Sequence, residues 1–215
     1  MDLYFAPLAC SMATRIALYE AGADANYLYV DIHTHPHDRR LEDGSDYFAI
    51  NPMGQVPAVR TDDGELVTEN PVVLQYVADR YPESSLAPQS GLARYRLQEW
   101  LNFIGTELHK GMYIPLLGRS NPEGAKDFAR QKTVARLGHV ESRLQEHEFL
   151  LDRFSVADAY LFTVLNWSQY AGIDLSPWPA VQAYYKRLLQ RPSVAKAVAE
   201  ESRIYAWEMQ RKVAV

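Results

Sequence analysis

The residues able to do chemistry in this 215-residue chain sit at turns and helix starts. Cys10 follows a short apolar run, Leu3 to Ala6, that Pro7 closes, and it precedes Ala13, Ile16, Ala17 and Leu18, whose spacing predicts a helix stopped by Gly22. A sulfur at that helix start would meet unpaired backbone N–H groups and the positive end of the helix dipole, which lower a thiol pKa. The other reading of a lone cysteine is a small buried hydrophobe, and the position favours the first. Asn51-Pro52-Met53-Gly54-Gln55-Val56-Pro57 is a turn-rich loop entering a strand that begins with proline. Val56-Pro57 is therefore a candidate cis peptide that would turn the Val56 N–H and C=O toward a bound chain; an ordinary loop would read the same. Thr68-Glu69-Asn70-Pro71 places an acid and an amide at a helix start, with Asn70 as N-cap and proline at the first helical position. That is an anchorage for a ligand carboxylate, or simple capping.

Further on, Asn102, Thr106 and His109 recur at i, i+4 and i+7 on a segment otherwise rich in Trp100, Leu101, Phe103, Ile104 and Leu108. On an α-helix they would share one face, a polar stripe that is either a site or a solvated surface. Lys110 adds a positive charge beside it. His33, His35 and His37 alternate through Thr34 and Pro36, but no carboxylate or thiol stands at metal-ligand spacing, so the segment reads as an exposed loop and no metal is expected. Ser155 and Asp158 have capping-box spacing before an apolar helix reaching about Gly172, a structural role.

The elements that must position these residues divide the chain. Tyr27 to Ile32 is a second strand, giving a βαβ unit with Cys10 at its first turn. Val56 to Thr61 and Glu65 to Thr68 flank Asp62-Asp63-Gly64, a hairpin signal, and a helix follows from Asn70 to about Tyr81. Residues 82–91 are rich in Ser, Pro and Gly and read as a linker. Beyond it every pattern is helical: Leu92 to Leu108, Pro122 to about Glu148, the Ser155 helix, one after Pro177-Trp178-Pro179 and a short one from Pro192. The expected organisation is an α/β domain over 1–81 and an all-α domain over 92–215.

Composition sets the outer limits. The chain is 47% hydrophobic and 23% charged, which excludes a disordered or collagenous chain. Its net charge of −5 gives no global field for nucleic acid or an anionic membrane. A single cysteine excludes an internal disulfide framework and a CxxC site. No basic region precedes an apolar stretch at the start, and Ala159 to Ile173 is interrupted by Asn166, Ser168 and Gln169, so a soluble cytoplasmic protein is expected.

Taken together, Ala9-Cys10-Ser11, the Asn51 to Pro57 loop, the Thr68 to Pro71 helix start, Trp100 to Phe103 with Thr106 to Lys110, and Phe154 to Phe162 resemble the bacterial beta-class glutathione S-transferases. The resemblance runs from Leu3 to about Glu201 and leaves the tail, 202–215 with Trp207, unassigned. It implies a thioredoxin-like glutathione-binding domain, a helical domain holding the electrophile, and a homodimer acting in detoxification. Carried over residue by residue, Cys10 would contact the glutathione sulfur and exchange disulfides with it. The Val56 backbone, with cis Pro57, would pair with the cysteinyl main chain, while Glu69 and Asn70 hold the γ-glutamyl end and Arg39 reaches the glycyl carboxylate. His109 would hydrogen-bond the sulfur, with Asn102, Thr106 and Lys110 nearby. Glutathione is then a co-substrate, and lowering its thiol pKa from roughly 8.5 by two units is about 2.7 kcal/mol of differential stabilisation. Phe5 and Leu8 stand where such proteins commonly have tyrosine and glycine, and Leu8 would narrow the mouth of the electrophile site. The rival readings are a glutathione-dependent thiol transferase or isomerase on the same scaffold, and a non-catalytic protein that binds glutathione or a hydrophobic ligand.

Overall fold

In the computed structural model, which describes residues 1–32 and 38–213, apolar runs of period two form a sheet in the first third, and period 3.6 takes over beyond it. Strands β1 (Asp2–Phe5), β2 (Asn26–Asp31), β3 (Arg40–Leu41), β4 (Ala58–Arg60) and β5 (Leu66–Thr68) lie in the order β3-β2-β1-β4-β5. β1 and β2 run parallel, Leu3 opposite Tyr27, across helix α1 (Ser11–Glu20), so the βαβ unit is present as expected. β4 is antiparallel to β1 and β5 to β4, and Gly64, at φ 89°, closes their hairpin where the Asp-Asp-Gly signal stands. The two-residue β3 had no readable pattern; it exists because its backbone pairs with Val30 and Asp31.

Alternation on β1 decides what each face does. Tyr4 and Ala6 pack with Val30, Tyr47, Val56 and Ala58, while the Phe5 ring lies against Arg15 of α1. Helix α2 (Asn70–Arg80) packs on α1.

The helical part comprises α3 (Gly91–Phe103), a π-helical segment (Ile104–Tyr113), α4 (Ile114–Leu117), α5 (Glu123–Glu146), α6 (Val156–Asn166), α7 (Ser168–Ala171) and α8 (Pro179–Leu189). Every residue of α6 is buried, and its start carries the expected capping box. It stops at Asn166, short of the expected Gly172, which instead ends α7 at φ 68°.

Contacts group Met1–Ser85 with the final helix α9 (Pro192–Val213) as one unit and Leu86–Arg191 as the other. Sequence patterning put 192–215 in the helical domain and read a short helix from Pro192. α9 is 22 residues long and packs on α1, because Val194, Ala197, Glu201 and Glu208 form a buried stripe at helical spacing. That stripe also accounts for the tail: Tyr29 donates to the buried Glu208 carboxylate at 2.6 Å, and Trp207 meets the Tyr29 ring edge-on.

Candidate active site

In the first unit, the segment from β1 to α1 is fixed at both ends. The Ser11 hydroxyl accepts from Ala6 N–H and donates to Ala6 C=O, each at 3.2 Å. Leu8 lies at φ 57°, a left-handed conformation that costs a side-chain-bearing residue about 1 kcal/mol or more. Its N–H donates to Glu201 Oε2 of α9 at 2.7 Å, and Glu201 Oε1 meets Arg15 Nε at 2.9 Å. The Arg15 guanidinium is held between the Phe5 and Tyr27 rings, 4.2 and 4.1 Å from their centroids. Burial raises the pKa of the Glu201 carboxyl, while Arg15 and the Leu8 N–H pull it back down. Leu8 holds a backbone conformation that glycine would adopt without cost, and the Phe5 ring serves as a floor for Arg15.

Cys10 is the N-cap residue of α1, and its thiol donates to the Val56 carbonyl at 3.0 Å. The Val56-Pro57 bond is cis, as read from the sequence. The Val56 carbonyl is not turned wholly outward, since Cys10 takes one of its lone pairs. The loop before it is internally tied: Asn51 Nδ2 and Tyr47 O–H both donate to Gln55 C=O at 2.8 Å. Arg39 donates to Gly54 C=O in this same loop, and burial lowers its pKa. A Cβ at Gly54, where φ is 61°, would fall 2.6 Å from the Phe48 ring.

At the next helix start the N-cap is Glu69, not Asn70, because Val72 and Val73 N–H both reach the Glu69 carbonyl. Glu69 has φ 65° and ψ 115°, a strained conformation for a non-glycine residue, and its side chain is exposed. Asn70 is buried. Its Oδ1 accepts from Thr14 O–H at 3.4 Å, while its Nδ2 has no hydrogen-bond partner among the described residues. A buried amide donor left open beside a helix N-terminus is suited to a carboxylate.

In the second unit the expected polar stripe is split. Asn102 and Thr106 are exposed and bond back to their own helix, to Gln98 and Asn102 carbonyls, and Lys110 is also exposed. His109 is buried. The cause is the π geometry from Ile104, in which Ile114 N–H reaches five residues back to His109 C=O. The wider turn rotates His109 away from Thr106. It also brings the Thr106 carbonyl within 2.8 Å of where a Gly111 Cβ would stand, so a glycine in an apolar helix was the readable sign.

His109 Nδ1 lies 2.7 Å from the Tyr160 hydroxyl, and the Trp167 ring packs against the imidazole at 4.9 Å. Burial, assisted by Lys110, lowers its pKa to about 3, so the ring is neutral at neutral pH. Unfolding returns the group to about 6.5. Between those values the unfolded chain binds the extra proton, so stability rises with pH across the window and is lost below 6.5, by about 1.4 kcal/mol per pH unit. Urea unfolding is therefore expected to weaken more steeply from pH 7 to pH 5 in wild type than in His109→Asn; equal slopes would exclude His109 as the source.

Sequence reasoning missed Glu201 and Tyr160. Glu201 had a signal, an acid on the core stripe of α9; Tyr160 had none, since aromatic residues in an apolar helix are ordinary core. His33, His35 and His37 lie outside the described residues. Among the described residues no cluster of His, Cys, Asp and Glu could hold a metal ion, and no helix is long and apolar enough to cross a membrane.

The fold, a βαβ-containing sheet followed by a helical unit, with Cys10 at the first helix start and a cis proline loop, defines a class. Residues 9–80 match the N-terminal domain of glutathione S-transferases and residues 95–192 their C-terminal domain. The chain is 43% identical over 203 residues to glutathione S-transferase GstA of Escherichia coli O157:H7, covering 94% of this chain and 98% of that one. A beta-class glutathione S-transferase of Sphingomonas chungbukensis superposes with a TM-score of 0.87 at 42% identity, covering 94% and 98%. A sphingomonad glutathione S-transferase complexed with glutathione gives 0.88 at 41%, covering 94% and 99%. The chain belongs to the glutathione S-transferase family.

Proposed function

We propose that this protein binds glutathione and conjugates its thiolate to small hydrophobic electrophiles. The observation that carries the reading is Asn70: a buried amide nitrogen with no partner among the described residues, next to the strained Glu69 at the start of α2. Glutathione offers a carboxylate and an ammonium at its γ-glutamyl end, the groups that this amide and the Glu69 carboxylate complement. Val56 and Pro57 offer backbone to its cysteinyl unit, and Arg39 a cation to its far carboxylate. Cys10 at the α1 terminus and neutral His109 are the groups assigned to its sulfur, and the exposed Asn102, Thr106 and Lys110 drop out of that set. A homodimer in the cytoplasm belongs to the same reading. Leu92 and Tyr95, one turn apart on α3, are 69% and 68% exposed, an apolar face that a second copy would cover.

The test is the initial rate of glutathione conjugation to a reactive aryl halide at neutral pH. Wild type is expected to exceed the spontaneous reaction; a rate equal to it sinks the proposal. Asn70→Ala is expected to raise KM for glutathione about tenfold with kcat little changed, the signature of a lost bond to a charged ligand group. An unchanged KM would remove Asn70 from the site. Thiol-disulfide exchange through Cys10 is a second activity favoured by its position as N-cap residue of α1. Cys10→Ser separates the two by losing disulfide reduction while keeping conjugation.

A further inference from the structure

The neutral imidazole of His109 carries one N–H and one bare nitrogen, and which nitrogen is which decides what the ring can do. An Nε2 that bears the proton donates a hydrogen bond and stabilises a thiolate. A bare Nε2 accepts one and stabilises the protonated thiol. The difference is set at the other nitrogen, Nδ1, which the structure pairs with the Tyr160 hydroxyl at 2.7 Å.

That pair can form in two ways: the phenol donates to a bare Nδ1, or an Nδ1–H donates to the phenol oxygen. A phenol O–H is by nature a far stronger acid than the N–H of a neutral imidazole. A bare imidazole nitrogen is a far stronger base than a phenol oxygen. Stronger acid with stronger base gives the stronger hydrogen bond, so the phenol donates and the ring proton resides on Nε2.

The surroundings hold this pair in one geometry. Tyr160 is 1% exposed and His109 5%, so water does not compete for the bond. The two rings stand perpendicular at 5.9 Å. Trp167 fixes the imidazole from a second side, and Trp167 packs in turn on Tyr113, whose hydroxyl is 2.6 Å from Ser168 Oγ. Tyr160 itself follows the Ser155/Asp158 cap by one turn of α6, so its register is set by the helix start. A ring whose basicity burial has lowered is a poor acceptor of the thiol proton, which agrees with a donor role.

Resting on the reading that His109 meets the glutathione sulfur, we propose that Tyr160 is a positioning residue that donates to His109 Nδ1 and so makes His109 Nε2 a hydrogen-bond donor to the thiolate. His109 then acts without changing its protonation state.

Two-bond 1H–15N correlation spectra of 15N-histidine-labelled protein at neutral pH report the tautomer directly. The proposal expects the His109 proton on Nε2 in wild type and a changed nitrogen pattern in Tyr160→Phe, which keeps the ring and removes the hydroxyl. A proton on Nδ1 in wild type overturns it whatever the activity, and this spectrum needs no variant to fold. In Tyr160→Phe the kcat for conjugation is expected to fall roughly tenfold, with KM for glutathione within about twofold, and the ultraviolet absorbance of bound thiolate to fall at a given pH. Full kcat and full thiolate in Tyr160→Phe, with a slow His109→Ala, overturn the proposal and leave the site reading standing. If His109→Ala is also as fast as wild type, the site reading fails and the catalytic consequence of Tyr160 falls with it.

Discussion

Replacing Glu201 by alanine is expected to lower the thermal midpoint by roughly 10 °C. Glu201 is fully buried and answers two groups that have left water: the Arg15 guanidinium at 2.9 Å and the Leu8 N–H at 2.7 Å. Its removal leaves a buried cation whose remaining carboxylate among the described residues is Glu200, at 3.2 Å and part-exposed. Breaking one side of such a pair costs about 3–5 kcal/mol, and each kcal/mol moves the midpoint of a chain this long by about 2–4 °C. The Leu8 conformation loses its anchor as well, so residues 6–10 should loosen. Cys10, whose thiol is otherwise held on Val56, is then expected to react with iodoacetamide several-fold faster at a temperature well below unfolding. Glu201→Gln keeps an acceptor for Leu8 N–H and loses only the charge, so it should fall between. A midpoint within about 2 °C of wild type for Glu201→Ala would show that Arg15 and Leu8 do not depend on it.

A comparable loss is expected for Asp158→Ala, by a different route. The Asp158 carboxylate accepts from four donors: Leu150 N–H at 3.0 Å, Ser155 N–H at 2.9 Å, Ser155 O–H at 2.9 Å and Tyr184 O–H at 2.9 Å. Burial raises its pKa, and these four bonds oppose that rise. Alanine strands the donors in the interior, where an unsatisfied polar group costs about 1–3 kcal/mol; shared relaxation brings the total to about 4 kcal/mol. Thermal unfolding followed by circular dichroism should show a fall of roughly 10 °C. Because α6 carries Tyr160, kcat for conjugation should fall as well. Tyr184→Phe removes one donor together with its need and is expected to cost no more than about 1 kcal/mol. If Asp158→Ala and Tyr184→Phe were equally mild, the carboxylate would be no more than a helix cap.

What local chemistry dictates was readable in the chain. Cys10 at a helix start follows from Pro7, the apolar spacing of α1 and Gly22, all within a few residues of one another. The Asp-Gly hairpin, the Val56-Pro57 bond and the Ser155/Asp158 cap are likewise decided by neighbours in sequence, because turn and cap geometry depends on one or two backbone angles. Those elements gave the βαβ unit, the β4–β5 hairpin and the helical run beyond residue 91, and their joint spacing gave the family resemblance.

Tertiary structure decided which of these residues are buried, and with what. Periodicity of 3.6 put His109 on the face of Asn102 and Thr106; ten residues of π geometry, made possible by the missing Cβ of Gly111, moved it inside. The expected cap Asn70 became an interior amide when Glu69 took the strained backbone conformation before α2. The partners of the site residues are far away in sequence: Glu201 is 193 residues from Leu8, and Tyr160 is 51 residues from His109. Hydrogen bonds of that span are selected by how whole helices pack, and no local pattern of side chains encodes them. The chain by itself therefore determined the kind of groups available for chemistry, whereas their protonation, strain and hydrogen-bond partners were settled only by the folded packing around them.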